Sequence, residues 1–513
     1  MKATIPVCGK FGLIQDQPAQ ELPPGAWSRA LNVRFRNGNA ERIEGETSIL
    51  TVPSVTPYYV DSYQVGVKRY FIHAGLARVF ADDGTTKTDI TPAVITPAVA
   101  FTGAIDDRWS GGTLGGIWIA NNNKEAPQYW AGTGVLAPLT AWPANTTAAV
   151  VRPFKNALIA LDVTKAGTRY ATMVKTSSFA VPGAVPASWD QNDATKEATE
   201  IDLAEEPSQL VDCLPMGDAN IIYKESAMYA QTLGGALIWN YRRLPGSVGL
   251  LARGCVAETP IGHVLMSPGD VVIHSGQGPR SIIDGRNRNW LQRSIDSTNY
   301  KRSFVTVNPG RNEVWVCFPQ AGSATCDLAL IWNWLDDTWT ARDLKSVTYG
   351  CVGRLANATT STWSTITGTW ADSISAWNSD PYSPADRRMV TCSTTPKLLV
   401  IDGSTTFDGV TFSSVLERTG DVQDDPSRVK VMKSIYPRVD GPTASQVLIE
   451  GGGAMDVEQG PTYPMSVTYT VGSTYKADGF ANGRALAYRF TSVANAPFRI
   501  KSFDIEYAKA GLF

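Results

Sequence analysis

The residues with the most chemical reach in this chain of 513 amino acids are few and poorly placed for one another. Only three histidines occur, His73, His263 and His274, and none has the spacing of a metal ligand set. His73 and His274 end apolar runs, where a polar residue closing a strand is the simplest expectation. Ser267, Asp270 and His274 carry the residue types of a nucleophilic triad, but no nucleophile-elbow sequence surrounds Ser267. The paired acids Asp82-Asp83, Glu205-Glu206, Asp336-Asp337 and Asp424-Asp425 sit beside turn residues. Adjacent acids on a strand point to opposite faces and cannot flank one scissile bond. Seven cysteines are scattered without a CxxC pair, which predicts free thiols and a reducing compartment. The glycine cluster Gly111–Gly116 lacks dinucleotide-binding spacing and precedes a strand rather than a helix. The expectation is a protein without catalytic residues, metal or cofactor.

Charge narrows the class further. Formal net charge is −2, and only 18% of residues are charged. A protein that grips nucleic acid draws affinity from neutralised phosphates and carries a basic excess, which is missing overall. The densest basic stretch holds Arg280, Arg286, Arg288, Arg293, Lys301 and Arg302, with Trp290 among them. It reads either as an inter-subunit or DNA-proximal patch or as a solvated loop laced with ion pairs. Asp82-x-Gly84-x-Thr86 partly matches the Asp-box of sialidases. Phe80 and Lys87 stand where that motif has Ser and Trp, so a hairpin turn is expected instead.

The elements that must hold these residues are strands. Gly (45) and Pro (31) punctuate the chain, and sustained helical periodicity is missing. Apolar runs bounded by Gly, Asn and Asp are centred near Tyr70, Trp118, Ile159, Ile222, Val272 and Val316. That period belongs to repeated small antiparallel sheets, as in a propeller blade. In Glu313–Phe318 both alternating sets are apolar, the mark of a strand covered on both faces. The fold expected is all-β: a β-propeller of about six or seven blades over residues 51–350, with an added β-sandwich-like or platform module. Residues 1–50 read as an N-terminal loop-and-strand segment with a tight turn at Asn37-Gly38. Val33 and Phe35 should be buried there, with Arg34 and Arg36 wet. Residues 351–425 read as a loop-rich insertion or last blade, and 426–513 as a C-terminal β module. In that module the apolar phase slips by one residue between Ile500 and Phe503, predicting a bulge at Lys501–Ser502. The N-terminus makes a poor signal peptide, and no stretch suits stable membrane insertion.

Both ends of the chain carry a family look. The opening, with Gly12, Pro18, Ser28, Asn32, Gly38 and Arg42 at the matching positions, resembles the start of the tail nozzle proteins of short-tailed phages, the tail tubular protein B group. The stretches 429–441 and 483–513 resemble the C-terminal module of that family. The close at Gly511-Leu512-Phe513 departs from the Arg-rich finish expected there. The resemblance implies a structural virion protein, a propeller with added β domains and an adaptor-facing platform built from the terminal regions. Six copies would form a ring extending the portal-adaptor channel, retaining packaged DNA and conducting it at ejection. Implied partners are further copies of the chain, the adaptor, tail fibre or tailspike and needle proteins, and viral DNA in transit. The implied location is the virion tail, after synthesis and assembly in the host cytoplasm. In such a tube Arg286–Arg302 would face a neighbouring subunit or solvent, because a basic wall would brake DNA. The alternative is a carbohydrate-binding or carbohydrate-degrading tail propeller, which 15 Trp would suit.

Overall fold

The computed structural model describes residues 1–48, 50–92, 101–234, 238–354, 387–423, 425–456 and 459–512. Most of the Ser/Thr/Trp-rich stretch read as an insertion, residues 355–386, and Asp424 lie outside the described residues. The chain is all-β, with one short α-helix among the described residues, Arg288–Ser294.

Five successive four-stranded antiparallel sheets run in sequence order. They begin at the strands Tyr59–Val65, Ser110–Leu114, Thr146–Phe154, Leu210–Met216 and Val256–Thr259. A sixth set consists of Phe304–Asn308, Glu313–Phe318, Cys326–Asn333 and the first part of Thr338–Arg354. That last strand runs 17 residues and bends at Ser346, whose φ is 52°. Beyond the bend it starts a seventh set, pairing with Arg387–Ser393. This pairs with Lys397–Ser404, and the outer place is taken by Gly45–Ser48 from the N-terminal segment.

Apolar side chains join each sheet to the next. Trp118 and Trp130 of the second sheet pack with Tyr59 and Ile72 of the first. Ile119 and Val151 join the second and third, and Ile159 and Ile222 the third and fourth. A large core runs through the fourth, fifth and sixth sheets into the terminal strands. Phe304 and Trp315 meet Val347 and Met389 between the sixth and seventh. Val390 and Val400 of the seventh set then pack on Val60 and Phe71 of the first, so the order of contacts is cyclic. The double-apolar pattern of Glu313–Phe318 is satisfied here, since every residue of that strand is buried.

The terminal regions interleave. Lys2–Ile5 and Asn39–Arg42 both pair with Arg499–Leu512, which also pairs with Arg428–Asp440. A second layer places Arg29–Leu31 beside Val415–Asp421, followed by Ala485–Ser492, Gln446–Ala454 and Thr462–Thr470. Trp27, Tyr488, Phe490 and Phe503 form an aromatic cluster between these layers, with Trp27 edge-on to Tyr488 at 5.9 Å. The predicted phase slip is present: Arg438 faces Ser502 and Val439 faces Ile500, leaving Lys501 as the extra residue. The Asn37-Gly38 turn also forms, with φ of 49° and 75°, values that glycine accepts without cost.

One expectation at this hairpin is wrong. Arg34 does not face water but is only 3% exposed. Its guanidinium bonds both oxygens of Glu313 and reaches Asp402 at 2.9 Å. Arg342, fully buried, pairs with Glu46 at 3.2 Å and lies 4.0 Å from Asp402. Arg311 adds a third cation, 3.5 Å from Asp402. Alternation predicts the wet face of a hairpin only when nothing packs on it, and here the sixth and seventh sheets do. Against the cost of burial, these three arginines hold the Asp402 carboxyl below its usual range.

Removing one member of a buried charge network strands its partners. Arg34→Met should lower unfolding free energy by about 3–5 kcal/mol, read from the denaturant midpoint at unchanged slope. A loss below about 1 kcal/mol would show that the network contributes little.

Candidate functional site

The two groups of residues singled out by sequence meet at one place. The N-terminal arm lies across the basic stretch and is held mainly through backbone groups. The amides of Gln15 and Asp16 both donate to the Arg286 carbonyl at 2.8 Å. Asn287, fully buried, accepts from the Gln15 amide through Oδ1 and donates through Nδ2 to the Leu13 carbonyl. Gln17 Nε2 donates to the Gly285 carbonyl. The Asp16 carboxylate accepts the amides of Asn289 and Trp290 at 2.8 and 2.9 Å, capping a helix that has no cap from its own residues.

Beside this joint is a cavity of about 620 Å³. Its wall combines apolar residues of the arm, such as Leu13, Ile14 and Leu22, with Trp290 of the helix and Ser28, Asp343 and Glu417. Contributions come from the arm, the helix, the sixth sheet and the terminal layer, so its shape depends on all four being docked.

Of the family-like residues, Gly12, Pro18, Ser28 and Asn32 lie at or beside this joint, and Gly38 and Arg42 lie at the hairpin beyond it. Gly12 has φ of 68°, and a Cβ there would sit 2.7 Å from the Trp339 carbonyl oxygen. The Pro18 carbonyl accepts the Glu21 amide in a turn. Ser28 Oγ donates to the Glu417 carbonyl and accepts the Thr419 amide. Asn32, fully buried at φ 55°, donates to Asp343 and to the Ser413 carbonyl and accepts the Asp343 amide. The Gly38 carbonyl accepts the Gly9 amide. Arg42 donates to the carbonyls of Thr405 and Phe412.

Three of the six cations in the basic stretch are neutralised. Arg286 pairs with Asp337 at 2.7 Å. Arg288 pairs with Asp284 at 3.4 Å and donates to the Gly269 carbonyl. Arg302 turns away from the helix to Asp106, at 2.8 Å. Arg280 and Arg293 are exposed and have no ion pair among the described residues. The residues that sequence reasoning missed are Asp16, Asn287 and Asp337. Their partners are about 50 to 270 positions away, so no local pattern marks them.

The triad-like residues do not assemble. Ser267 and Asp270 are register partners across a tight turn, while His274 pairs with His263 and Pro279 at the far end of its strand. Asp270 accepts instead from Ser281 Oγ and the Val271 amide. The His263 ring lies between Tyr223 Oη at 2.8 Å from Nδ1 and the Pro215 carbonyl at 2.9 Å from Nε2. That pairing fits a neutral ring with its proton on Nε2. His73 stacks on Phe80. Asp82 is buried and accepts from the Gly84 amide and from Thr51, so the Asp-box-like stretch is a turn. Burial raises the thiols of Cys8, Cys213, Cys255 and Cys392 to about 12, which suppresses their thiolates. No group of three or more His, Cys, Asp or Glu that could hold a metal occurs among the described residues.

A second polar centre joins the first strands of the sheets. Arg152 makes a two-pronged pair with Asp212 at 3.0 and 2.9 Å, and Asp212 also accepts the Gly254 amide. Arg152 reaches the Gly111 carbonyl, and Trp118 donates to Asp61. These groups answer one another from the first sheet to the fifth, so the centre acts as a lock. No described helix is long and apolar enough to cross a membrane.

Asp16→Ala should speed hydrogen exchange at the Asn289 and Trp290 amides and cost about 1 kcal/mol of stability. Unchanged exchange would mean that the arm does not hold the helix. A second expectation concerns pH. Burial lowers the His73 and His263 rings from 6.5 to about 4. Their neutral forms therefore stabilise the fold fully above pH 6.5, and this is lost as pH falls from there toward 4. Each contributes on the order of 3 kcal/mol over that window. His73→Phe, which keeps the stacking on Phe80, should flatten the acid limb of the denaturant midpoint. An unchanged acid limb would assign the loss to other groups.

No family model matches the sequence, and no curated protein does. Among solved structures, the chain is similar to PorZ, a bacterial surface component of the type-IX secretion system of Porphyromonas gingivalis, at 9% identity and a TM-score of 0.34 over 72% of this chain and 38% of that one. It is also similar to the extracellular domain assigned to a hybrid two-component system of B. thetaiotaomicron, at 8% identity and a TM-score of 0.40 over 79% of this chain and 45% of that one. The chain thus spans less than half the length of either.

Proposed function

We propose that the chain is a structural subunit of a phage tail nozzle, built as a seven-bladed β-propeller with a platform of terminal strands. In this reading the cyclic packing of small sheets is the propeller. The strand Gly45–Ser48 closes the last blade, and the two terminal layers form the β-sandwich-like platform. Six copies make the ring that extends the portal-adaptor channel in the virion tail, retains DNA and conducts it at ejection. The partners are the adaptor, the fibre or tailspike and needle proteins, and DNA in passage.

The observation that carries this reading is the convergence of the family-like positions. Gly12, Ser28 and Asn32 serve one joint, where the opening of the chain meets the terminal layers and the sixth sheet, while Gly38 and Arg42 brace the hairpin beyond it. Motif residues spent on one architecture support kinship better than the same residues scattered over a surface. Electrostatics supports it too. Of the six cations in the basic stretch, three are answered by acids, which reduces the hold each subunit offers DNA there. The buried histidines and turn-bound acids favour a role without catalysis.

The purified chain, imaged alone and with its adaptor, should give a six-fold ring with an open lumen. A chain that stays monomeric with the adaptor, and that binds or cleaves host polysaccharide, would overturn this reading in favour of the carbohydrate alternative.

A further inference from the structure

A cavity of about 350 Å³ opens between the N-terminal hairpin and the terminal strands, away from the arm. Its wall holds five arginines against three carboxylates. All three carboxylates are already engaged. Glu41 pairs with Arg499 at 3.0 Å, Glu44 with Arg311, and Asp440 with Lys501. Arg34 belongs to the network around Glu313 and Asp402. Two cations of the wall, Arg36 and Arg42, therefore have no carboxylate partner among the described residues.

Arg42 is the more informative. It is 6% exposed, its guanidinium lies 3.9 Å over the Phe412 ring, and its Nη2 is given to carbonyl oxygens. Its Nε is buried and bonds nothing. A buried guanidinium with neither a counter-ion nor a partner for one N–H is costly, and the cost disappears when an anion occupies the site. Burial also lowers the Arg42 pKa to about 10, as a cation lacking a nearby negative charge requires. Arg36 is half-buried, free of hydrogen bonds among the described residues, and lines the same cavity, so it can turn toward a ligand.

We propose that this cavity binds a phosphate-type oxyanion, with Arg42 as the fixed donor and Arg36 as the adjustable one. Arg311 and Arg499 supply additional positive potential from the wall. Guanidinium groups suit this role because their N–H forks match the oxygen spacing of a phosphate. The source is either free inorganic phosphate or a phosphodiester of a nucleic-acid strand.

Calorimetric titration of the full-length chain with inorganic phosphate, against chloride at matched ionic strength, should show one phosphate-specific site. Phosphate should raise the thermal midpoint more than chloride does. Arg36→Gln disturbs no existing bond, so it should fold normally and weaken binding about ten-fold. Arg280→Gln, an exposed arginine elsewhere, should leave binding unchanged. If a short DNA duplex competes with phosphate in the wild type, the site is supported and its source is the phosphodiester. If phosphate binds and the duplex does not compete, the site is supported and its source is the free ion. Absence of a phosphate-specific signal, or equal binding by wild type and Arg36→Gln, would overturn the assignment.

Discussion

A guanidinium taken out of water has to be answered by carboxylates, and in this molecule that requirement ties remote pieces of chain together. Arg34 comes from the opening hairpin, Glu313 from the sixth sheet, Asp402 and Arg342 from strands of the seventh and sixth, and Glu46 from the strand that completes the cycle. Three cations and three anions meet there, with Asn308 and Trp315 donating into the same group. Hydrophobic contact alone would let the N-terminal strands slide along the sheets. Directional charge-assisted bonds admit one register, because a shift by one residue would leave ions buried without partners. The cyclic contact between the seventh and first sheets depends on that register, as does the position of the arm over the helix.

Local chemistry wrote much of the framework into the sequence. The spacing of apolar runs gave the repeated sheets, the Asn37-Gly38 pair gave a turn, and the slip before Phe503 gave a bulge, because each depends on neighbouring residues. What was illegible is everything decided by partners far away in the chain. Arg34 looked solvent-facing because alternation knows nothing of the sheet that lands on it. The basic stretch read as a patch or a loop. It contains the helix Arg288–Ser294, whose first turn is capped by Asp16, over 270 residues earlier. The seventh sheet was half visible, as a last blade within 351–425, and its outer strand was not, since Gly45–Ser48 carries no apolar signature.

The same distinction separates the two polar centres from the two cavities. Around Arg152 and Asp212 donors and acceptors match, and the result is rigidity. The larger cavity, with Trp290 and Glu417 in its wall, owes its shape to four separate elements, and its walls mix apolar and polar groups. The smaller one is cationic and includes a buried N–H that nothing accepts. Matched charges hold the fold, whereas the Arg42 guanidinium, without a counter-ion, stands beside a cavity that can receive one.

The pairing of Lys2–Ile5 with Arg499–Leu512 has a consequence for biosynthesis. Lys2–Ile5 has no partner on that edge until a strand made roughly 500 residues later has been synthesised. At usual elongation rates that separation takes roughly half a minute to two minutes to translate. The early sheets can form meanwhile from contacts between near neighbours in sequence. The opening strands, however, remain unpaired edges until then. Nascent chains on neighbouring ribosomes could exchange these strands during that interval. The charges of Arg34 and Glu46 oppose such an exchange until the proper counter-ions have been synthesised.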